Sequence, residues 1–332
     1  MSALQHRNLG NTGLRVSRIC VGAMAYGSDE IDEAGAVKII ESALKVGINF
    51  FDTADIYLDG RSEEIVGKAL RKERHSAVIA TKGGVSTGPG PNDMGLSRKH
   101  IIKAVEDSLR RLHTDYIDLY YVHTPDYSTP LEETLRALDD MLHQGKVRYI
   151  GCSNFRAWQL CKARGVSELH NLVRFECIQS PYNLLTRDIE MELLHYCGIE
   201  RIGVTVYNPL AAGLLTGDLD AKKPPPTGTR FANEAMGLGK LYRDRYWLDV
   251  NFEAVTQLKQ IAQQNGRSLT QFALAWIFNN ETITSVLCGI TSLEQLATDI
   301  EAFELKLSQK ELSACDEVWQ RFFRPPRMFY GK

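Results

Sequence analysis

The stretch EAGAVKIIESALKVGINFFDTADIY, residues 33–57, runs from a helix-period segment through a turn into a short apolar run. Ala36, Ile39, Ile40, Ala43 and Leu44 recur at the i, i+3, i+4 spacing of a stripe that packs on a sheet. Asn49-Phe50-Phe51 then reads as a buried strand that closes on Asp52. The same alternation continues in both directions. Strands are predicted at Ile19 to Val21, Asn49 to Asp52, Val78 to Thr81, Tyr116 to Val122, Tyr149 to Ser153, Arg174 to Gln179, Gly203 to Val206 and Ser285 to Cys288. Helices are predicted at Glu33 to Val46, Glu63 to Lys72, Arg98 to Leu112, Leu131 to Gln144, Arg156 to Ala163, Ile189 to Tyr196, Leu269 to Phe278 and Leu293 to Ile300. Eight strands alternating with eight helices predict an α/β protein of parallel β-α units closed into a (β/α)8 TIM barrel. An open doubly wound sheet is the alternative. Against it, no G-x-G-x-x-G follows the first strand, where the chain reads Val21-Gly22-Ala23-Met24-Ala25-Tyr26-Gly27.

Three segments fall outside the repeat. Leu4 to Arg7 and Leu14 to Ser17 flank the turn Gly10-Asn11-Thr12-Gly13 and predict an N-terminal hairpin plugging the barrel floor. Ala211 to Asn251, after the seventh barrel strand, is rich in Gly, Pro and aromatics and is read as a long functional loop. Phe252 to Gln264 and Gln309 to Phe322 are extra helices, and the tail Arg324 to Tyr330 is expected over the barrel mouth. No Gly/Ser linker divides the 332 residues, so a single domain is expected. With 39 basic and 41 acidic residues and no basic block, nucleic-acid binding is not expected. No apolar run is long enough to cross a membrane and no secretion signal opens the chain, so a cytoplasmic protein is expected. The seven cysteines are scattered without a C-x-x-C and are read as reduced, mostly buried thiols rather than disulfides or a zinc site.

In such a barrel, chemistry sits where strands end, so polar residues closing apolar runs carry the most weight. Asp52, Lys82 and His123 each close one, and Tyr57 follows Asp52 by five residues. Singly, each has an ordinary explanation: a turn or cap for Asp52, packing for Tyr57, a solvated charge for Lys82, a core ring for His123. Together they form a proton-donating set. A phenol is a poor acid at neutral pH unless a cation stabilises its conjugate base, and Lys82 can supply the cation. Asp52 would hold the ammonium charged, and His123 would orient a carbonyl or assist proton transfer. With no nucleophile and no metal-ligand cluster in the pattern, the electrons must come from a cofactor.

The chain resembles the aldo-keto reductases through Asp52-Thr53-Ala54-Asp55-Ile56-Tyr57, Ala80-Thr81-Lys82, Asp115 to Tyr120 running into His123, and Gly151-Cys152-Ser153-Asn154-Phe155. Gln179-Ser180-Pro181-Tyr182-Asn183, Tyr207-Asn208-Pro209-Leu210 and Gly213-Leu214-Leu215-Thr216-Gly217 continue the match in order along essentially the whole chain. The resemblance implies a tetrad of Asp52, Tyr57, Lys82 and His123 with Tyr57 as general acid, and hydride from a nicotinamide cofactor to a carbonyl. It implies that Ser153, Asn154 and Gln179 hold the carboxamide, with Tyr207 stacked on the ring. Gly22, Met24 and Asp52 would lie by the cofactor, and Asn208, Pro209, Leu210, Gly213 and Leu215 along the pyrophosphate. The adenine end would meet Gly289, Thr291, Ser292, Gln295 and Asp299. Here the chain departs from the family pattern at Cys288, Thr298 and Asp299. An acid near a 2′-phosphate repels it, yet no acid is placed to clamp a bare ribose, so NADPH is expected over NADH.

Thr229-Arg230-Phe231 and Tyr242 to Trp247 resemble the branch of the family that reduces aflatoxin aldehyde and succinic semialdehyde. That resemblance puts Tyr242 and Arg245 near substrate, with Arg245 also a candidate for the cofactor phosphate; an amphipathic helix packed on the barrel is the structural alternative. Arg327 and Tyr330 would complete a carboxylate pocket. Met24, Tyr26, Tyr57, Tyr127, Tyr182 and Trp247 would give the mouth an apolar lining suited to aromatic or extended small-molecule carbonyls, with His123 at its base. Two other functions fit parts of the pattern. One is a regulatory subunit like the potassium-channel beta subunits, disfavoured because about a dozen residues precede the hairpin's return. The other is a Schiff-base lyase using Lys82, which leaves Tyr207 and the phosphate-loop pattern unexplained.

Overall fold

Parallel strands covered on both faces need continuous apolar runs, and the short runs of this chain are buried along nearly their whole length. In the computed structural model, which describes residues 5–233 and 237–323, a hairpin of β1 (His6–Asn8) and β2 (Arg15–Ser17) precedes the barrel strands. These are β3 (Ile19–Gly22), β4 (Phe50–Asp52), β5 (Val78–Gly83), β6 (Ile117–Val122), β7 (Val147–Ser153), β8 (Cys177–Pro181), β9 (Gly203–Tyr207) and β10 (Ser285–Cys288). They close into a barrel in the order β10-β3-β4-β5-β6-β7-β8-β9. Helices alternate with them: α1 (Glu33–Lys45), α2 (Arg61–Leu70), α3 (Arg98–Leu112), α4 (Leu131–His143), α5 (Ala157–His170) and α6 (Leu193–Glu200). After β9 come α7 (Leu238–Tyr246), α8 (Asp249–Gln264) and α9 (Leu269–Phe278), and β10 is followed by α10 (Leu293–Glu304) and α11 (Gln309–Phe322). The fold is a (β/α)8 barrel with an N-terminal hairpin.

Contacts gather the chain into two compact units. One comprises the chain up to Ser180 with Leu193–Thr205 and Thr282–Leu296; the other comprises Pro181–Glu192, Val206–Glu281 and the chain from Ala297 on. In the first, α1 to α5 pack each on the next. The stripe of α1 buries Ala36, Ile39, Ile40 and Ala43, and Asp32 caps it by accepting from the Gly35 amide at 2.8 Å. The hairpin tip meets the floor of the barrel as expected. Gly10, with φ of +59°, lies so close to the backbone of Glu176, Arg201 and Gly203 that a Cβ there would stand 2.5–2.8 Å from it. Only glycine fits that approach. In the second unit α9 is buried all round, from Phe272 to Phe278, and Ser308 and Glu311 form a capping box that starts α11.

The structure departs from the sequence reading at several boundaries. The 14-residue helix α5 runs on to His170 where a stop at Ala163 is expected, and β8 starts at Cys177 rather than Arg174. The segment read as one long loop contains a 3-10 turn, Ala211–Thr216, and the nine-residue helix α7. Six cysteines are buried and Cys161 is exposed, all as free thiols. Among the described residues no helix is long and apolar enough to cross a membrane. Leu4 and the tail from Arg324 lie outside the described residues.

Candidate active site

Strand register brings the polar strand ends to one level. Gly22 pairs with Asp52, Asp52 with Ala80, Lys82 with Tyr121, and Ser153 with Gln179. Lys82 is fully buried, and its Nζ donates to three oxygens: Asp52 Oδ1, the Thr53 carbonyl at 2.8 Å and the Tyr57 hydroxyl at 3.3 Å. The second carboxylate oxygen of Asp52 accepts from Gln179 Nε2 at 2.9 Å. A buried ammonium without such a set would shed its proton. Here burial works to push the Lys82 pKa down, but Asp52 and Tyr57 outweigh it and hold the ammonium above the usual lysine range. Burial likewise lifts the Asp52 carboxyl above its ordinary value, with Lys82 and Gln179 pulling it back. The pair is a buried salt bridge aimed at one phenol.

Tyr57 is carried on a strained turn. Leu58 and Asp59 take left-handed backbone angles, φ +51° and +52°, and Gly60 follows at +87°. Such conformations in non-glycine residues cost energy and persist where surrounding structure enforces them. Here the Asp55 amide donates to the Lys82 carbonyl at 3.0 Å and the Tyr57 amide to the Ala54 carbonyl at 3.2 Å. His123 meets the Tyr57 ring edge-on, centroids 5.9 Å apart and planes at 82°. Its amide donates to the Gly83 carbonyl at 2.9 Å, while its Nδ1 is buried without a hydrogen-bond partner. Burial, then the nearby Lys82 cation, lowers the His123 pKa to about 3, so the ring is neutral at physiological pH.

Ser153, Asn154 and Gln179 form a linked set beside these four. Ser153 Oγ donates to the Gln179 carbonyl at 3.0 Å, and Asn154 Nδ2 donates to the His123 carbonyl at 3.0 Å and to Ser153 Oγ at 3.1 Å. Gln179 is buried on β8, while Asn154, directly after β7, is exposed with φ of +63°. Gly22 sits where a Cβ would touch the Cys288 carbonyl at 3.4 Å, and Met24 is half-buried. At the start of α10, Gln295 Oε1 accepts from the Thr291 amide at 2.7 Å and its hydroxyl at 3.1 Å, and the Gln295 amide donates to Ser292 Oγ at 3.2 Å. Gly289 before them is exposed.

In the second unit, Tyr207 and Pro209 are half-buried and Leu215 is fully buried. Asn208 takes φ of +56° and carries a buried amide nitrogen without a partner. After Leu210, Ala211, Ala212 and Gly213 are all left-handed, at +49°, +59° and +100°. Asn183 explains part of the motif around it structurally: its Nδ2 donates to the Asn208 carbonyl at 2.9 Å. Asp118 does the same on β6, accepting from the Ile79 amide at 2.9 Å and pairing with Arg74.

The residues expected at the mouth differ in burial and packing. Tyr26 is fully buried. Tyr182 is in the core, its hydroxyl donating to Glu190 at 2.6 Å and accepting from Asn280 at 3.1 Å. The formation of α7 turns Tyr242 and Tyr246, four residues apart, onto one buried side and leaves Arg245 exposed. Trp247 packs edge-on against Phe231 and Phe252, with centroids 5.0 and 5.1 Å away. Thr298 is half-buried and Asp299 is buried. Tyr127 is exposed, and Arg327 and Tyr330 lie outside the described residues. The Thr53 carbonyl on Lys82 escaped the sequence reading because a backbone acceptor leaves no residue-type signal.

The sequence profile of the Aldo/keto reductase family matches residues 18–320. The chain belongs to this family. Its aldo/keto reductase relatives include a protein of Oryza sativa subsp. japonica named a probable voltage-gated potassium channel subunit beta, 39% identical over 91% of this chain and 92% of the relative. An oxidoreductase of Bacillus subtilis is 37% identical over 95% of this chain and 96% of its own length. A putative aryl-alcohol dehydrogenase of Schizosaccharomyces pombe is 36% identical over 94% of each chain. Aldo/keto reductases are oxidoreductases that typically use a nicotinamide cofactor, and carbonyl reduction is the chemistry of the family.

Proposed function

We propose that this aldo/keto reductase reduces aldehydes and ketones to alcohols with NADPH, Tyr57 delivering the proton. The observation that carries the proposal is the Lys82 ammonium, ion-paired to Asp52 and 3.3 Å from the Tyr57 hydroxyl. The residues fit a nicotinamide dinucleotide: Ser153, Asn154 and Gln179 form a polar set hydrogen-bonded to Asp52 and His123 of the tetrad, and in the second unit the unpartnered Asn208 donor suits an anion such as a pyrophosphate. When bound, that cofactor supplies a hydride.

The chain's own groups do the rest. Tyr57 donates its proton to the carbonyl oxygen as that oxygen gains charge, and Lys82 stabilises the phenolate left behind. Asp52 keeps Lys82 charged and is itself held by Gln179. His123, neutral, presents a ring nitrogen to orient the carbonyl rather than a second cation. Ser153, Asn154 and Gln179 position the carboxamide in this reading. Thr291 and Ser292 hydroxyls at the start of α10 are the polar groups assigned to the adenosine phosphate, which favours NADPH. The half-buried Met24 and the name of the yeast relative both support aromatic aldehydes as substrates. The raised proton affinity of Lys82 works against a Schiff-base lyase, which needs a free amine.

The name of the rice relative favours a second reading, a cofactor-binding subunit with little turnover. Fluorescence titration with NADPH and NADH, followed by an aldehyde and ketone panel read at the cofactor's absorbance, separates the two. Tighter binding of NADPH with turnover of aromatic aldehydes supports the reductase. Binding without turnover supports the subunit, and absence of binding by either cofactor refutes both.

A further inference from the structure

Outside the tetrad, one buried carboxylate is tied both to the strand of Lys82 and to the turn of Tyr57. Glu63, in the first turn of α2, is wholly removed from solvent. Its Oε1 accepts from Thr81 Oγ1 at 2.5 Å, and Thr81 directly precedes Lys82 on β5. Its Oε2 accepts from Arg111 Nε at 2.6 Å, an ion pair that reaches across from α3. The preceding residue, Ser62, adds two ties. Its Oγ donates to the Ala23 carbonyl at 2.7 Å and, with its proton so used, accepts from Thr53 Oγ1 at 2.7 Å. The Thr53 carbonyl is itself an acceptor for Lys82 Nζ. The start of α2 therefore holds the chain neighbours of Asp52 and of Lys82.

Arg111 carries the tie to Tyr57. The turn Tyr57–Gly60 ends on Gly60 at φ +87°, and the Arg111 side chain lies directly against it: a Cβ at Gly60 would stand 2.5 Å from Arg111 Cδ and 2.6 Å from its Nε. Glycine is needed there for the close approach as well as for the backbone angle. The left-handed Leu58 and Asp59 just before it favour relaxation unless the surroundings prevent it. Space for relaxation exists, because Ile56, Asp59 and Arg111 border a cavity of about 140 Å³. Glu63 is what keeps the guanidinium on Gly60, with Ser108 Oγ accepting more weakly from its Nη2 at 3.5 Å. Stability alone does not account for the arrangement, since replacing a buried ion pair by apolar packing is often neutral or stabilising.

We propose that Glu63 is a positioning residue for proton transfer: through Thr81 it grips the strand of Lys82, through Arg111 it braces the strained turn of Tyr57, and so it fixes the phenol 3.3 Å from the ammonium. Its two oxygens are engaged by Thr81 and Arg111, so it acts on the phenol through geometry and not by contact. The inference rests on Tyr57 as the general acid. Proton delivery is sensitive to such placement, a displacement of about 1 Å costing on the order of 10²-fold in rate.

The test uses the full chain and two substitutions at one position. Glu63→Ala removes both ties, whereas Glu63→Gln keeps them, its Oε1 accepting from Arg111 and its Nε2 donating to Thr81 Oγ1. For an aromatic aldehyde, kcat is expected to fall roughly 10- to 100-fold in Glu63→Ala with KM and cofactor affinity little changed, and to return to within about threefold of the unmutated value in Glu63→Gln. In a Tyr57→Phe background, read in single turnover, Glu63→Ala is expected to cost less than about twofold more, because the acid it positions is already gone. Hydrogen exchange reads the brace without turnover: it is expected to quicken at residues 56–61 in Glu63→Ala and to stay unchanged along β5 and β6. An unmutated protein that binds cofactor without turnover would refute the reductase reading and leave the exchange pattern to decide the brace. Should Glu63→Ala fail to fold, Arg111→Lys keeps a charge for Glu63 while removing the flat group over Gly60, and it is expected to show the same kcat loss and the same exchange pattern. Unmutated kcat in a folded Glu63→Ala protein, an equal further loss in the Tyr57→Phe background, or exchange that is unchanged at the turn or raised throughout the barrel would each overturn the proposal.

Discussion

Replacing Lys82 by Met removes the cation from the phenol while keeping most of the side chain's volume. Unit charges 3.3 Å apart, the separation of Lys82 Nζ and the Tyr57 oxygen, attract by about 5 kcal/mol at an effective dielectric constant of about 20. A phenolate half developed in the transition state would lose about half of that, or roughly 10² in rate; full development raises the loss to between 10³ and 10⁴. The variant also leaves Asp52, 1% exposed, without its counter-ion, so the carboxyl takes up a proton and about 3–5 kcal/mol of stability is lost. Activity must therefore be read on protein shown to be folded by circular dichroism and still able to quench or shift cofactor fluorescence. Single-turnover reduction of an aromatic aldehyde across pH 6–9 is the assay. Because Lys82 and Tyr57 act as one unit, the double variant with Tyr57→Phe should be little slower than Tyr57→Phe alone. A folded Lys82→Met protein turning over within threefold of the unmutated chain would refute the reasoning.

His123 should remain neutral through the working range. Its folded pKa, about 3, lies below the ordinary 6.5, so the unfolded chain takes up the proton first; this part of the stability is intact above about 6.5 and is lost as pH falls toward 3. An imidazole resonance assigned to His123 that titrates above pH 5 would contradict this. Asp55 has the opposite sign: its folded pKa, about 7, lies above the ordinary 3.8, so its contribution favours the folded state at low pH and is lost as pH rises through 7, with a slope approaching 1.4 kcal/mol per unit, about that of one proton. Asp55→Asn should therefore flatten the urea-unfolding profile between pH 4 and 7 and stabilise the protein at pH 8; an unchanged profile would show that Asp55 does not titrate there. Gly67 on α2 lies against the Leu112 backbone, so Gly67→Ala forces the two helices apart and should cost about 1–3 kcal/mol in urea unfolding.

The barrel was legible because strands buried on both faces leave unbroken apolar runs such as Val78-Ile79-Ala80-Thr81, and because helices such as α3, with Ile101, Ala104, Val105, Leu109 and Leu112 buried, carry a clear stripe. Boundaries blurred where polar residues continue an element. Val147 and Arg148 begin β7 although the run looks apolar only from Tyr149, and α5 extends over Arg164 to His170 with just Ser167 buried beyond Ala163. The helix α7 was hidden because only Gly239, Tyr242 and Tyr246 are buried, too few to make a period in a segment full of glycine and aromatics. Once it forms, Tyr242 and Tyr246 are buried on one side of it, as in the amphipathic-helix alternative. The strand-end residues were readable for a different reason. A charge closing a buried strand has few structural explanations, and Asp52 and Lys82 do close adjacent strands. The burial of Asp55 and His100 was not readable, since an aspartate in a turn and a histidine on a helix look solvated until the fold is known.

Tyr57→Phe tests the central claim most directly. The substitution removes one oxygen and leaves the chain from Lys82 through Asp52 to Gln179 in place, so folding and cofactor titration should match the unmutated protein. With the general acid gone, reduction of an aromatic aldehyde should slow by about 10²–10⁴ in kcat. Full turnover by a folded Tyr57→Phe protein that binds cofactor normally would contradict the account.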